Sequence, residues 1–294
     1  MPTRRDLLAA SGALALSHAA AWAQGEETAR AQGPPRPGGA PGRLKQAVCR
    51  WPFERIPFPE FCRAAAGMGL AAIDLLGPEY WPQMHEYGLV CSMGYAAIRP
   101  DFIAVGFNDR SNHAMLWREL ETALPLAARH GVPNVIGMFG NRRGRSDAEA
   151  IDNCVAGLRR IAPLAEAQGV TLCLELLNSK VDHPDYQGDH TAFGLAVVRA
   201  VGSLRVKLLY DIYHMQIMEG DVIRTIRDAH EHLAHFHTGG VPGRHELDGT
   251  QELQYGAIAA AIAATGFTGY MAHEFVPTGD PLGALRDAVR TCAV

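Results

Sequence analysis

The sequence predicts a single α/β domain, a (β/α)8 TIM barrel in which eight parallel strands alternate with helices. From residue 45 onward, short apolar runs alternate with helical patterns, and near-continuous apolar strands are typical of a parallel sheet buried on both faces. The last four strand-like runs each end in a polar side chain, spaced by about one strand–helix unit, roughly 30 residues. An open doubly wound sheet is disfavoured because its glycine-rich first turn is absent.

The first residues read as a targeting segment that precedes the barrel. Arg4-Arg5 comes before a weakly apolar, alanine-rich run, and Ala21-Trp22-Ala23 fits a small-x-small cleavage pattern. This pattern resembles a twin-arginine signal peptide, so residues 1–23 are predicted to direct export to the periplasm. Residues 24–43 are rich in Gly, Pro, Ala and Arg and are predicted to form a short disordered linker. The barrel is expected to occupy residues 44–294.

Composition and charge exclude several classes of protein. The chain of 294 residues is 48% hydrophobic and 20% charged, which is ordinary for a globular enzyme. Its formal net charge of −4 argues against a nucleic-acid partner, which would require a basic face. Apolar runs stay shorter than about 18 residues, so no stable membrane anchor is expected. The six cysteines include no C-x-x-C pair, and the sequence does not indicate which of them would form a disulfide.

The first half of the barrel is predicted from apolar periodicity and from glycines that end helices. Four strands are expected here, at residues 47–51, 71–76, 89–93 and 134–139. Helices are expected after these strands, at residues 58–68, 79–86, 113–130 and 147–168. Ser146, with Glu149 three residues later, has the pattern of a capping box at the start of the fourth helix. The long loop 94–112 is typical of a functional segment.

The second half repeats the alternation with stronger strand signals. Its four strands are expected at residues 171–175, 206–211, 233–237 and 269–274. Its helices are expected at residues 189–200, 221–230, 255–264 and 281–291. Two polar loops, 178–188 and 239–253, follow the first and third of these strands and would lie on the same rim of the barrel.

The four strand ends of the second half carry groups that bind metal ions, namely Glu175, Asp211, His237 and Glu274. An acid at the end of an apolar strand is costly unless it is paired, hydrogen-bonded or bound to a metal. Because the carboxyl ends of barrel strands share one rim, these side chains are expected to meet. Three carboxylates and an imidazole suit a divalent cation, and this mixed set leaves Mn²⁺, Mg²⁺, Co²⁺ and Zn²⁺ open.

Four further polar residues are candidates for the surroundings of that site. His214 follows the strand end at Asp211 and would contact a substrate oxygen or the metal, with a surface loop histidine as the alternative. Arg244 lies in a glycine-rich loop and would clamp a substrate carboxylate, with a solvated loop arginine as the alternative. Asn178, just after the fifth strand, is a third candidate for substrate binding. His235 is expected one layer deeper in the barrel, as a supporting residue.

Five short motifs resemble the hydroxypyruvate isomerase family, which belongs to the xylose-isomerase-like TIM-barrel superfamily. They lie at residues 174–178, 210–216, 235–237, 240–246 and 273–275. The most specific of them is Gly-Val-Pro-Gly-Arg-His-Glu at residues 240–246. The resemblance implies that Glu175 and Glu274 flank an enediolate as acid and base, and that both bind the metal with Asp211 and His237. A histidine at position 237 looks more like the related ketose 3-epimerases, since hydroxypyruvate isomerases usually have Gln there.

The expected function is therefore metal-dependent isomerisation of a small hydroxy-carbonyl substrate, such as hydroxypyruvate to tartronate semialdehyde. A ketose 3-epimerase or sugar isomerase is the first alternative. A metal-dependent phosphoesterase, as in the endonuclease branch of the superfamily, and a non-catalytic sugar binder are further alternatives. Barrels of this kind often pair, so a homo-oligomer stays an open expectation.

Overall fold

The apolar runs form an inner ring of parallel strands, as their burial on both faces requires. The protein is described by a computed structural model over residues 44–294. The strands are β1 (Lys45–Cys49), β2 (Ala72–Asp74), β3 (Val90–Cys91), β4 (Gly94–Tyr95), β5 (Asn134–Met138), β6 (Thr171–Glu175), β7 (Val206–Asp211), β8 (Leu233–Thr238) and β9 (Tyr270–His273). They pair in parallel in the order β3-β2-β1-β9-β8-β7-β6-β5-β4. The predicted signal peptide 1–23 and linker 24–43 lie outside the described residues.

The third strand of the barrel is split into the two short segments β3 and β4, whereas the sequence predicted one strand over 89–93. β3 pairs with β2, β4 pairs with β5, and the chain passes from one neighbour to the other within two residues. A hydrogen bond from the Leu75 N–H to the Met93 carbonyl, 2.9 Å long, bridges the gap. The side-chain amide of Asn134 donates to the Ser92 carbonyl at 2.9 Å. The ring of eight strands therefore closes through a bent strand.

The bend depends on a glycine packed against a tryptophan. A Cβ atom added at Gly94 would lie 2.4 Å from the Trp81 ring, well inside van der Waals contact. Trp81 is 1% exposed, and its indole N–H donates to the Leu76 carbonyl at 3.1 Å. No larger residue fits at position 94 unless the indole or the strand moves.

Eight α-helices surround the strands within the described residues. They are α1 (Phe58–Gly67), α2 (Arg110–Arg129), α3 (Asp147–Gln168), α4 (Thr191–Val201), α5 (Ile212–Met218), α6 (Val222–Ala229), α7 (Tyr255–Ala264) and α8 (Pro281–Thr291). Three short 3-10 helices lie at Trp51–Phe53, Trp81–Tyr87 and His230–His232. The helix predicted at 79–86 is the second of these. None of the helices between residues 44 and 294 has the length and apolar character to cross a membrane.

The ends of two helices have identifiable caps. Ser146 Oγ accepts a hydrogen bond from the Glu149 N–H at 3.2 Å, which confirms the predicted start of α3. α5 was not predicted, because a single seven-residue turn gives too short a periodic pattern. It begins at the strand end itself, where Asp211 Oδ1 accepts from the His214 N–H at 3.1 Å. This cap places His214 directly above the end of β7.

Candidate metal centre

The four predicted ligands come from four neighbouring strands and meet at the carboxyl-end rim of the barrel. Glu175 and Asp211 are the last residues of β6 and β7, His237 lies in β8, and Glu274 follows β9. Asp211 and His237 are paired in the register of β7 and β8. All four side chains are buried, with at most 3% of any residue exposed. The structure thus brings the predicted group together.

The distances within the group match those of a coordination shell. His237 Nδ1 lies 2.7 Å from Glu274 Oε2, 3.2 Å from Glu175 Oε1 and 3.9 Å from Asp211 Oδ2. One ligand atom from each of the four residues lies within 4.8 Å of the others. Metal–ligand bonds of about 2.0–2.3 Å place two ligands of one ion roughly 3–4 Å apart. The residues present therefore fit a divalent cation, and the donor set accepts Mn²⁺, Mg²⁺, Co²⁺ and Zn²⁺ alike.

The electrostatics of the group favour a bound positive charge. Burial raises the pKa of Asp211 to about 7; Arg244 opposes this shift, and the charge of Glu274 adds to it. Burial alone would lower the pKa of His237, but Glu274, Cys49 and the hydrogen bond to Asp74 raise it well above its usual value. Asp211 and His237 thus hold protons more readily than usual, and a divalent cation would displace these protons.

Arg244 lies at the edge of the cluster, so the alternative of a solvated loop arginine is wrong. Its Nη2 donates to Glu274 Oε2 at 2.7 Å and contacts Asp211 Oδ2 at 3.3 Å. The guanidinium lies between two aromatic rings, 5.4 Å from the centre of Trp51 and 5.2 Å from that of Tyr213. Its Nε also donates to the Glu274 carbonyl at 3.2 Å, and together these contacts hold the planar guanidinium at the mouth of the site.

His214 is fully buried beside the cluster, which excludes the alternative of a surface histidine. Its Nδ1 accepts a hydrogen bond from Asn178 Nδ2 at 2.6 Å, so the ring proton lies on Nε2. Nε2 lies 3.5 Å from Asp211 Oδ2 and has no hydrogen-bond partner within residues 44–294. Burial, followed by the charges of Arg244 and His183, lowers the pKa of His214 well below its usual value. His214 is thus a neutral N–H donor next to the cluster.

Asn178 contacts His214, which in turn lies beside the cluster. Its Nδ2 donates to His214 and to Asp182 Oδ2, each at 2.6 Å. Its Oδ1 accepts from the N–H groups of Val181 and Asp182 at 3.0 and 2.9 Å. These four contacts use the full hydrogen-bonding capacity of the amide. Asn178 therefore orients His214 in this structure, and its predicted contact with substrate stays a prediction.

Two residues of the site were missed in the sequence. The indole N–H of Trp51, just after β1, donates to Glu274 Oε1 at 2.5 Å. Asp74, the last residue of β2, is fully buried and contacts His237 Nε2 at 2.8 Å. Burial alone would raise the pKa of Asp74, but His235 and the hydrogen bonds of both histidines lower it below its usual range. In the sequence Asp74 lies inside the apolar run 71–76, whereas in the structure it is the last residue of β2.

Comparison with known proteins places this geometry in a family. The family model described as a xylose isomerase-like TIM barrel matches residues 62–292. A 2-oxo-tetronate isomerase of Cupriavidus necator is 34% identical over 231 residues, which cover 73% of this chain and 85% of that protein. A human protein that is provisionally named a hydroxypyruvate isomerase is 26% identical over 264 residues, which cover 85% of this chain and 89% of that protein.

A solved structure supports the same architecture. The crystal structure of a family 2 AP endonuclease from Brucella melitensis superposes with a TM-score of 0.72 at 24% sequence identity. The match covers 82% of this chain and 97% of that chain, so it supports the fold over the described barrel. Since the family model spans most of the barrel, the chain belongs to the xylose isomerase-like TIM-barrel family.

Proposed function

We propose that the protein is a metal-dependent isomerase that moves a proton between adjacent carbons of a small 3-hydroxy-2-oxo carboxylate. Hydroxypyruvate, converted to tartronate semialdehyde, is the smallest substrate of this class. The observation that supports the proposal most directly is the pair of buried glutamates, Glu175 and Glu274, whose oxygens lie 3.2 and 2.7 Å from the same atom of His237. Two carboxylates so close together suit the removal and return of a proton at neighbouring carbons.

The enzyme class rests on the relatives. The two sequence relatives described above carry names as isomerases, which is the class of intramolecular oxidoreductases predicted for this chain. A 2-oxo-tetronate has the same 3-hydroxy-2-oxo carboxylate group as hydroxypyruvate and is one carbon longer. The substrates in the two names thus share one reacting group, and the proposed substrate is defined by that group.

Each residue of the site has a task in this proposal. Glu175, Asp211, His237 and Glu274 would hold a cation, and its positive charge would make the proton beside the carbonyl more acidic. One glutamate removes the proton from C3, and the other, or the same one, returns it at C2. Trp51 and Arg244 hold one oxygen each of Glu274, which fixes the direction of its carboxylate.

The remaining two groups recognise the substrate. His214 Nε2–H is a neutral donor for a substrate oxygen, and its proton is kept on that nitrogen by Asn178. Arg244 pairs with the substrate carboxylate through the N–H groups that it does not use on Glu274 and Asp211. Both lie at the edge of the cluster, so substrate would bind beside them and the glutamates.

The test is deuterium exchange in D₂O, measured on chelated protein and again after Mn²⁺ is added. Two matched pairs of compounds test the contribution of the substrate carboxylate. They are hydroxypyruvate with dihydroxyacetone, and 2-oxo-tetronate with erythrulose. We expect metal-dependent exchange with both acids and much slower exchange with the two ketoses, in which a CH₂OH group replaces the carboxylate. Metal binding without exchange on any compound would contradict the isomerase and favour a binder or a phosphoesterase.

A ketose 3-epimerase is the second candidate, and one residue favours it. His237 occupies the ligand position at which the resemblance is closer to the epimerases. This function predicts exchange at C3 of ketohexoses, with no advantage for substrates that carry a carboxylate. The same panel, extended to fructose and tagatose, separates the two candidates.

A further inference from the structure

Asp74 lies beneath the four-residue cluster and is in contact with two histidines. Its Oδ2 is 2.8 Å from His237 Nε2 and 3.0 Å from His235 Nε2. Its Oδ1 accepts a hydrogen bond from Ser92 Oγ at 2.6 Å. Asp74, His235 and His237 are all fully buried. Three polar groups, two from β8 and one from the bend between β3 and β4, thus converge on one carboxylate inside the barrel.

The contacts of the two imidazole rings determine where their protons lie. The Nδ1 atom of His235 is buried and has no hydrogen-bond partner in the part of the chain described, so its ring proton belongs on Nε2, facing Asp74. His237 turns Nε2 toward Asp74 and Nδ1 toward the cluster of carboxylates. With a proton on Nε2, the lone pair of Nδ1 is directed at the place where a cation would lie.

We propose that Asp74 is a positioning residue that holds His237 as the Nε2–H tautomer and aims its Nδ1 at the metal, while His235 holds Asp74 in place. A carboxylate behind a metal-binding histidine fixes the ring orientation and makes the ligand nitrogen more basic. This inference rests on the proposed metal-dependent function. It assigns Asp74 and His235 to the metal site without direct contact with the cation.

A competing arrangement uses the same atoms. Asp74, His235 and His237 could themselves hold a cation, since one donor atom from each lies within 4.8 Å of the others. A cation there would take Nε2 of His237 and would leave Nδ1 protonated among the carboxylates of Glu175 and Glu274. The two arrangements therefore predict opposite nitrogen atoms as the metal ligand, and this difference can be measured.

The first experiment needs no substitution. The full chain, labelled with ¹⁵N-histidine and loaded with Zn²⁺, is examined by long-range ¹H–¹⁵N correlation, and a His237→Gln sample assigns the ring. We expect a protonated Nε2 and a metal-bound Nδ1 at His237, with one Zn²⁺ per chain. A metal-bound Nε2, or a second tightly bound Zn²⁺, would overturn the proposal.

Variants then measure the contribution of Asp74 to metal affinity. Asp74→Ala removes the acceptor for His237 and should weaken Mn²⁺ binding roughly 10–100-fold, the range seen for partners of metal-binding histidines. Asp74→Asn keeps an acceptor oxygen without the charge and should fall between Asp74→Ala and the unchanged protein. Ser92→Ala removes only the contact to Oδ1 and should weaken Mn²⁺ binding less than Asp74→Ala, while Glu60→Gln, an exposed acid of α1, is the control and should bind Mn²⁺ as well as the unchanged protein.

The outcomes separate this inference from the proposed function. If the unchanged protein binds no Mn²⁺, the metal-dependent function fails. If the unchanged protein and Asp74→Ala bind Mn²⁺ equally, the function stands and the role of Asp74 is wrong. If Asp74→Ala does not fold, the nitrogen assignment in the unchanged protein decides.

Discussion

Asp211 shows how protons and metal compete at the level of a single residue. Its pKa is about 7 because it is buried beside Glu274, so near neutral pH the metal-free protein holds a proton there. A metal ligand must be deprotonated, and binding therefore releases that proton. We expect the Mn²⁺ dissociation constant to rise at least roughly tenfold per pH unit below about pH 7, because His237, whose pKa is also raised, must lose a proton too. Titrations at pH 6, 7 and 8 would show it, and identical affinities at all three would contradict it.

The two glutamates define the proton transfer. Glu175→Gln and Glu274→Gln keep the size of each side chain but cannot accept the substrate proton. Each should lower turnover roughly 10²–10⁴-fold, the usual contribution of a general acid or base. Glu60→Gln, on the exposed side of α1, is the matched control and should be fully active. Full turnover by either site variant in a steady-state assay would exclude the two-glutamate mechanism.

Arg244 holds Glu274 and is proposed to bind the substrate carboxylate, and one substitution can separate these two roles. Lysine keeps the positive charge but loses the bidentate fork. Arg244→Lys should reduce the ratio of kcat/KM for hydroxypyruvate to that for dihydroxyacetone roughly tenfold, as expected for the loss of one hydrogen bond to a charged group. An equal fall for both substrates would show that Arg244 acts through Glu274 alone. The ratio is measured by deuterium exchange under matched conditions.

Among the structural elements, the bent third strand is the one most sensitive to substitution. Gly94→Ala places a Cβ atom 2.4 Å from the Trp81 ring, in a well-packed part of the barrel. It should lower the free energy of unfolding by about 1–3 kcal/mol. Gly67→Ala is the control, because a Cβ atom there meets nothing within 4 Å. Urea unfolding of both variants tests this, and equal stability would show that the indole moves aside at little cost.

The elements also show which features the sequence could predict. Apolar runs with a polar residue at the end located β6 to β9, and their parallel pairing brought Glu175, Asp211, His237 and Glu274 together as expected. The bend between β3 and β4 was missed because it arises from pairing with two different neighbours, which leaves no local pattern. The contact of Asn178 with His214 and those of Asp74 with the two histidines were missed for a similar reason, since they join residues 36, 161 and 163 positions apart.

At the scale of the whole molecule, the family and the isomerase class predicted from the motifs are confirmed by the relatives. The substrate is less predictable, because a choice between a carboxylate and a hydroxymethyl group depends on a few atoms at the mouth of the barrel. Arg244 is placed there by a loop in which its backbone has a φ of +59°. Such loop geometry follows from tertiary contacts, and residue spacing alone does not predict it.

We propose that the protein is exported to the periplasm by residues 1–23, as the paired arginines predict. In a bacterial host with a twin-arginine system, the protein recovered from the periplasm should begin at Gln24. Replacing both arginines, Arg4→Lys with Arg5→Lys, should leave uncleaved protein in the cytoplasm. Cell fractionation and the intact mass of the protein test both expectations. Efficient export of the double variant would argue for another route.

The pairing of the first and last strands, which we call the seam of the barrel, determines when the site can form. β1 pairs with β9, so the ring closes only when the first and last strands meet. Trp51 follows β1, Glu274 follows β9, and the hydrogen bond between them spans that seam. During synthesis the ribosome must release the final strand before the fourth ligand can reach the other three. A cation that needs all four ligands would therefore bind late, after the last strand has joined the barrel.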